Sequence, residues 1–266
     1  MNHLSQSPLK GKWVLITGAS SGFGAAAARV FGAAGAKLLL GARRVERLAQ
    51  VAAEARHAGA TDALFHRLDV SKTSSVENFI AWTKRKTGKL YVLINNAGGA
   101  HGVDTVAQGK DADWETMIQT NVLGVLRVTR AALPLLPRDA GASIINIGSV
   151  AGRTAYEGGS AYCAAKAGEL QITRVLRHEL FGTGIRVSTV DPGLAETEFS
   201  LVRFKGDAAR AKKVYAGTHP LVAGDIAEIL VWIASRPPHV NIDELLVKPV
   251  DQAEVGKVHR RTKTEK

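Results

Sequence analysis

The sequence predicts an α/β protein built on one doubly wound parallel sheet, and three observations carry that prediction. Short apolar runs recur along the chain, each followed by an amphipathic or alanine-rich stretch of helical length. This alternation yields parallel strands with helices on both faces. The first run passes directly into a glycine-rich turn and then a helix. At 266 residues the chain can bury one sizeable core, and no repeat or low-complexity linker divides it. Residues 1–10 read as an N-terminal extension, 11–256 as the domain and 257–266 as a basic tail.

The first strand is Trp13-Val-Leu-Ile-Thr17, and Gly18-Ala19-Ser20-Ser21-Gly22-Phe23-Gly24 follows it, leading into the alanine-rich helix Ala25 to Ala34. Such a Rossmann-like junction is an anion site: free backbone N–H groups and the positive end of a helix dipole converge on one point. Glycines there let a pyrophosphate approach the backbone and let helix pack on strand. The second strand, Ala36 to Ala42, ends at Arg43-Arg44, with no acid before Glu46. An acid at this point would read the ribose 2′-hydroxyl of NAD, whereas two guanidiniums suit the 2′-phosphate of NADP(H). The competing reading makes both arginines caps on the next helix. A third strand, Leu64 to Val70, brings Asp69 and Val70 to its end, with Asp69 suited to the adenine amino group. A fourth, Leu90 to Gly98, ends in Asn95-Asn96-Ala97-Gly98, small enough for an adenosine to lie on the backbone. Ligands of open α/β sheets bind at such strand ends.

The fifth strand, Ala142 to Ser149, sets a hydroxyl at its end. The helix Ser160 to Phe181 then carries Tyr162 and Lys166, about one turn apart and so on one face. A phenol near pKa 10 is a poor acid or base at neutral pH. A neighbouring ammonium favours the phenolate and brings it toward the working range of a general acid–base. Ser149, Tyr162 and Lys166 together fit hydride exchange at a carbonyl or alcohol carbon; taken alone, the tyrosine and lysine would equally be a packed ring and stem. The strand Ile185 to Val190, the helix Gly224 to Ser235 and the strand Glu244 to Val250 complete the alternation. A charged excursion at 195–218 interrupts it and reads as a substrate lid. Arg203 or Lys205 within it, or Arg153 after Ser149, would hold a substrate carboxylate or sulfonate; each equally reads as a solvated surface charge.

These residues resemble the short-chain dehydrogenases/reductases over nearly the whole chain: Thr17 to Gly24, Asn95-Asn-Ala-Gly98, Asn121, Ser149, Tyr162-x-x-x-Lys166 and Pro192-Gly193. The resemblance implies that Tyr162 is the acid–base and that Ser149 holds the carbonyl oxygen. It implies that Lys166 assists the tyrosine and binds the nicotinamide ribose, and that Asn121 keeps a water in a proton relay. Pro192, Gly193 and Thr197 would meet the nicotinamide end. Gly193 to Gly206, Asp113-Trp-Glu-Thr-Met117 and Val240-Asn-Ile-Asp243 are similar to the NADP-dependent 3-hydroxy acid dehydrogenases, which act on serine, allo-threonine and related acids or on malonic semialdehyde. Sulfoacetaldehyde reductases stand close to the same group. The alternatives are a broad reductase of neutral carbonyls and a non-catalytic NADP-binding sensor or scaffold. Homotetramers are common in the family and are expected here.

The net charge is +11, and five basic residues with one acid lie in the last ten. That tail reads as a solvated end or as an arm reaching a neighbouring subunit. Basic charge attracts nucleic acid, but no nucleic-acid motif or interleaved aromatics accompany it, so an anionic small-molecule substrate and a phosphate-bearing cofactor are the expected partners. The N-terminus lacks an apolar leader and no run is long enough to span a membrane, so a cytoplasmic protein is expected. Cys163 is the single cysteine, in keeping with a reducing compartment. The eight histidines show no metal-ligand spacing, and no metal is expected.

Overall fold

In the computed structural model residues 7–262 are described. The first six residues of the expected extension and the last four of the expected tail lie outside them. Seven strands form one parallel sheet in the order β3-β2-β1-β4-β5-β6-β9. They are β1 (Trp13–Thr17), β2 (Lys37–Ala42), β3 (Asp62–Arg67), β4 (Val92–Asn95), β5 (Ser143–Ile147), β6 (Arg186–Pro192) and β9 (Glu244–Val247). The helices are α1 (Gly22–Ala33), α2 (Val45–Ala58), α3 (Thr73–Thr87), α4 (Asp111–Ile118), α5 (Gly124–Ala132), α6 (Ser160–Glu179), α7 (Phe199–Arg203), α8 (Ala208–Val214) and α9 (Ala223–Ala234). Sequence order reverses between β1 and β4, which opens a crevice at the carboxyl ends of the strands.

The apolar runs of the sequence become strands buried on both faces. Along each strand, alternate side chains enter opposite layers. Val14, Ile16, Leu38, Leu40 and Ile94 pack with Phe31, Leu48 and Leu230 on the side of α1, α2 and α9. Leu15, Leu39, Leu93 and Ile144 pack with Phe79, Val128 and Leu135 on the other side. Each fully buried leucine or phenylalanine contributes roughly 1.5–3 kcal/mol, so a polar substitution in β1 or β4 disrupts whichever layer that side chain enters. The alanine-rich face of α1 lets it sit close on its neighbours: a Cβ on Gly32 would lie 2.6 Å from the Ala55 carbonyl oxygen.

Two polar features brace the sheet. Asn95 Nδ2 donates to Thr129 Oγ1 at 2.9 Å and to Asn146 Oδ1 at 2.8 Å, and Asn146 Nδ2 donates to Thr173 Oγ1 at 2.8 Å, tying β4 and β5 to α5 and α6. The buried Arg186 guanidinium donates to the carbonyls of Ile233, Ala234 and Arg236 at the end of α9, where a cation complements the helix dipole.

Several boundaries differ from the sequence reading. β3 ends at Arg67, so Asp69 and Val70 lie in the turn beyond it, and β4 stops at Asn95. The 195–218 excursion is not an irregular loop: β7 (Ala195–Glu196) pairs in parallel with β8 (Leu221–Val222), with α7 and α8 between them. The side chain of Asp207 caps α8 by accepting from the Arg210 amide at 2.9 Å. The described part of the basic tail is neither free nor extended from the domain. Arg261 makes two bonds to the Asp251 carboxylate, at 2.6 and 2.7 Å, and Arg260 donates to the carbonyls of Ala216 and Val214. The tail thereby pins the segment after α8.

Candidate active site

The crevice at the switch point is a cavity of about 550 Å³ that runs from the glycine-rich turn to the 195–218 segment. Its first wall is the β1–α1 junction. Gly18 and Gly22 have left-handed φ values of 65° and 52°, which side chains rarely adopt, and a Cβ on Gly18 would lie 2.8 Å from Ala97 Cα. Gly24 stands behind this surface: a Cβ there would meet Asn96 Nδ2 at 2.5 Å and the Gly18 carbonyl at 2.6 Å. Its role is close packing of turn on strand. Thr17, not singled out from sequence, is the clamp: its hydroxyl accepts from the amides of Asn96 at 3.0 Å and Ala97 at 2.9 Å, while Asn96 Nδ2 donates to the Thr17 carbonyl at 2.8 Å. Ser20, Ser21, Gly22 and Phe23 line the cavity, so the start of α1 faces it as an anion site requires.

Arg43 and Arg44 follow β2 at the mouth of the same region and line it. The Arg44 guanidinium donates to Ser20 Oγ at 3.2 Å, to Ser21 Oγ at 2.6 Å and to the Glu198 carboxylate at 3.0 Å. Serines and guanidinium thus form one pocket of donors with a carboxylate lying on it. That donor set fits the 2′-phosphate of NADP(H). Asp69 and Val70 line the next stretch. Burial works to raise the Asp69 carboxyl, but the Ser71 hydroxyl and amide, with Arg43 and Lys72 nearby, hold it below its ordinary value and keep it an acceptor. Asn96, Ala97 and Gly98 complete this wall.

At the far end, Ser149, Tyr162 and Lys166 line one space with Pro192, Gly193 and Thr197. Ser149 sits just past β5, its hydroxyl accepting from the Ala151 amide at 3.1 Å and so capping a single 3₁₀ turn, Val150–Gly152. Lys166 Nζ donates to the Ile147 carbonyl and to Glu169 Oε2, each at 2.7 Å. Asn121 is fully buried and lies in a π-helical turn, Gln119–Leu123, between α4 and α5. Its Nδ2 donates to the carbonyls of Met117 at 2.8 Å and Gly99 at 2.9 Å, and its Oδ1 accepts from the Gly99 amide at 3.0 Å. The bond to Met117, four residues back, ties the Asn121 side chain to the last turn of α4. Asn121 therefore fastens the loop after β4 to the helix behind the site.

Of the three cations expected at the substrate, the structure brings one to the cavity. Arg203 lines it, donating to Tyr156 Oη at 2.8 Å and to the Gly102 carbonyl at 3.1 Å, with Cζ 5.9 Å from the centre of the Tyr162 ring. Arg153 is a correction: it turns away to bind Asp191 at 2.5 Å and Glu244 at 2.7 Å, and those two carboxylates neutralise it as a structural ion pair. Lys205 is a second correction: it pairs with Asp113 at 2.7 Å on an exposed surface outside the cavity lining. Tyr156 and Phe199 were missed. Burial pushes the Tyr156 phenol up to about 12, even beside Arg203, so it remains a neutral donor and acceptor. Phe199 packs 5.6 Å from the Tyr162 ring. Phe199 lies within the Gly193 to Gly206 stretch without a role read for it there, and α7 carries it onto Tyr162, while Tyr156 enters from the connection between β5 and α6. Cys163 is half-buried, its thiol raised by burial. Among the described residues no three His, Cys, Asp or Glu side chains are grouped to hold a metal.

The profile of the family described as short chain dehydrogenase matches residues 12–206. The chain is 43% identical over 256 residues to the NADP-dependent 3-hydroxy acid dehydrogenase of Schizosaccharomyces pombe, covering 96% of this chain and 99% of that protein. It is 46% identical over 241 residues to sulfoacetaldehyde reductase 2 of Chromohalobacter salexigens, covering 90% and 95%. The closed form of a serine dehydrogenase complexed with NADP+ superposes with a TM-score of 0.86 at 40% identity, over 94% of this chain and all of that one. With its parallel sheet, its switch-point cavity and a match spanning most of its length, the chain belongs to the short-chain dehydrogenase/reductase family of oxidoreductases.

Proposed function

We propose that the protein is an NADP(H)-dependent oxidoreductase that interconverts a small 3-hydroxy acid, of the serine or allo-threonine kind, with the corresponding acidic aldehyde or ketone. The observation that carries this reading is the convergence of Ser149, Tyr162 and Lys166 with the Arg203 guanidinium at one end of a cavity whose other end holds Arg43, Arg44, Ser20 and Ser21. The names and cofactor of the relatives support it.

When bound, the nicotinamide gives or takes a hydride at the reacting carbon. The chain does the rest. Ser149 holds the substrate oxygen, Tyr162 gives it a proton on reduction or takes one on oxidation, and Lys166 supports the tyrosine and holds the ribose. Asn121 orders the relay that returns the proton to solvent. Gly18 to Phe23 hold the pyrophosphate, Arg43 and Arg44 the 2′-phosphate, Asp69, Val70, Asn96, Ala97 and Gly98 the adenosine, and Pro192, Gly193 and Thr197 the nicotinamide end. Arg203 binds the carboxylate of the substrate. The segment 195–218 acts as a lid because α7 carries Phe199 and Arg203 onto the cavity.

A second reading, reduction of a sulfonated aldehyde, is favoured by the 46% identity to a sulfoacetaldehyde reductase and by a guanidinium that accepts sulfonate as readily as carboxylate. Initial rates of NADPH oxidation with malonic semialdehyde, sulfoacetaldehyde, a neutral aldehyde and a neutral ketone, with NADH as control, decide among these. The preferred acid identifies the anion, and faster turnover of neutral carbonyls would discard the acidic-substrate reading. We further propose a cytoplasmic homotetramer. Exposed Leu126, Val175, Trp232 and Leu246 on α5, α6, α9 and β9 support the assembly, and light scattering of the purified protein tests it. No helix among the described residues is long and apolar enough to cross a membrane.

A further inference from the structure

Helix α6 carries a third ionisable side chain on the face of Tyr162 and Lys166. Glu169 follows the lysine by three residues and the tyrosine by seven, so all three stand along one stripe of the helix. Its side chain is 2% exposed and its Oε2 lies 2.7 Å from Lys166 Nζ. An ammonium has three N–H donors. Two of those on Lys166 are taken inside the protein, by Glu169 and by the Ile147 carbonyl. The third remains for a ribose hydroxyl.

A carboxylate at such a position is not what packing requires. A buried ion pair is often no more stabilising than apolar side chains of the same volume, because desolvation opposes the attraction. A leucine or valine would fill this space at lower cost. The surroundings also single Glu169 out. From β6, Asp191 faces the same lysine, but it is bound by Arg153 at 2.5 Å and by the Thr189 hydroxyl at 2.7 Å. Arg153 itself, just beyond the 3₁₀ turn, is shared between Asp191 and Glu244. From α4, Asp113 is turned to Lys205, and the π turn presents the neutral amide of Asn121. Glu169 is therefore the acid bonded directly to the lysine.

We propose that Glu169 is a positioning residue of the proton-transfer machinery, an anionic partner that fixes the charge and orientation of Lys166 and thereby sets the pH at which Tyr162 works. The inference rests on the roles of Tyr162 and Lys166 given under the proposed function. Its electrostatics have a definite sign. Lys166 alone would favour the phenolate strongly; a carboxylate on its far side offsets that field and repels the second negative charge. Burial raises the Glu169 carboxyl above its ordinary value, although the lysine beside it pulls it down. Burial would depress the Lys166 ammonium, but Glu169 and Tyr162 outweigh it and hold it above its ordinary value.

The test is a tyrosinate absorbance titration of the full-length protein, comparing wild type, Glu169→Gln, Tyr162→Phe and the double variant. Subtracting each Tyr162→Phe background isolates the one phenol. Removing the carboxylate is expected to move that midpoint down by about one pH unit. The basic limb of kcat/KM for the fastest panel substrate should move with it. Midpoints and limbs that coincide between wild type and E169Q would overturn the proposal. If E169Q does not fold, Glu169→Asp carries the same test, since withdrawing the carboxylate by one methylene shifts the midpoint the same way by less. Tyr162→Phe separates the two levels. Full turnover in that variant defeats the catalytic reading itself, whereas a dead Y162F with an unmoved E169Q titration defeats only the role of Glu169.

Discussion

At the residue scale, the chemistry depends on which charges are left unpaired toward the cavity. Arg203, Arg153 and Lys205 are equivalent as letters in the sequence. In the fold, Arg153 is held by two carboxylates and Lys205 by one, while Arg203 is braced by the Tyr156 hydroxyl and a backbone carbonyl, which leave its charge uncompensated. Only a guanidinium in that last state attracts an anion strongly. Arg203→Ala is expected to raise KM for the preferred acidic substrate about 10- to 100-fold, as loss of a charged hydrogen bond does, and to leave a neutral ketone nearly unaffected. Steady-state kinetics on both substrates check this, and an equal effect on the two would place the anion elsewhere. Arg153→Ala should instead act on stability, with a similar KM for both.

At the scale of elements, the site is made where strands end and helices begin. The β1–α1 turn was readable because glycines in that spacing have a steric reason, and Gly18 and Gly22 do adopt φ values that side chains avoid. The β2–α2 junction was readable as two guanidiniums with no acid, and the structure adds what they touch: Arg44 is organised by Ser20 and Ser21 of the neighbouring turn. Arg43→Asp is expected to weaken NADPH by at least about tenfold while affecting NADH far less, because an acid there repels a 2′-phosphate and accepts from a 2′-hydroxyl. Fluorescence titration with each nucleotide measures the difference, and equal losses would sink the assignment. The π turn at Asn121 and the contact of α7 with Tyr162 were not readable as geometry. A one-residue widening of a helix leaves no periodic signal, and α7 and α8 are too short to have one.

At the scale of the whole molecule, the β9 edge of the sheet is held by a charge network. Glu244 on β9 receives Arg174 from α6 at 2.7 Å and Arg153 at 2.7 Å. Bonds from Arg174, then from Arg153, lower its carboxyl to about 2, against the opposing effect of burial. A carboxyl lowered from its ordinary 4.5 contributes stability that is present above that value and lost as pH falls toward 2. Glu244→Gln is therefore expected to lower Tm at pH 7 and to lose less on acidification between pH 4.5 and 2 than the wild type. Thermal melts of both proteins across that range test it; parallel curves would mean that the pairs are screened and contribute nothing. The tail acts at this scale too, since Arg260 and Arg261 tie residues 214–217 and Asp251 together, and the excess of positive charge is partly internal bracing.

The sequence by itself determined the sheet, its alternation with helices, the glycine-rich turn after β1 and the placing of Tyr162 and Lys166 on one helix face. Each of these is local: an apolar run, a turn geometry or a spacing of one helical turn holds its meaning wherever the chain goes. Tertiary structure alone decided which cation faces the cavity, that Glu169 closes on Lys166, that Glu198 reaches Arg44 across 154 residues, and that Tyr156 and Phe199 wall the site. Those outcomes depend on which partner a charge or ring meets first among distant segments. A side chain's chemistry is written in the sequence, but whether that chemistry is free or already satisfied is settled only by its neighbours in space.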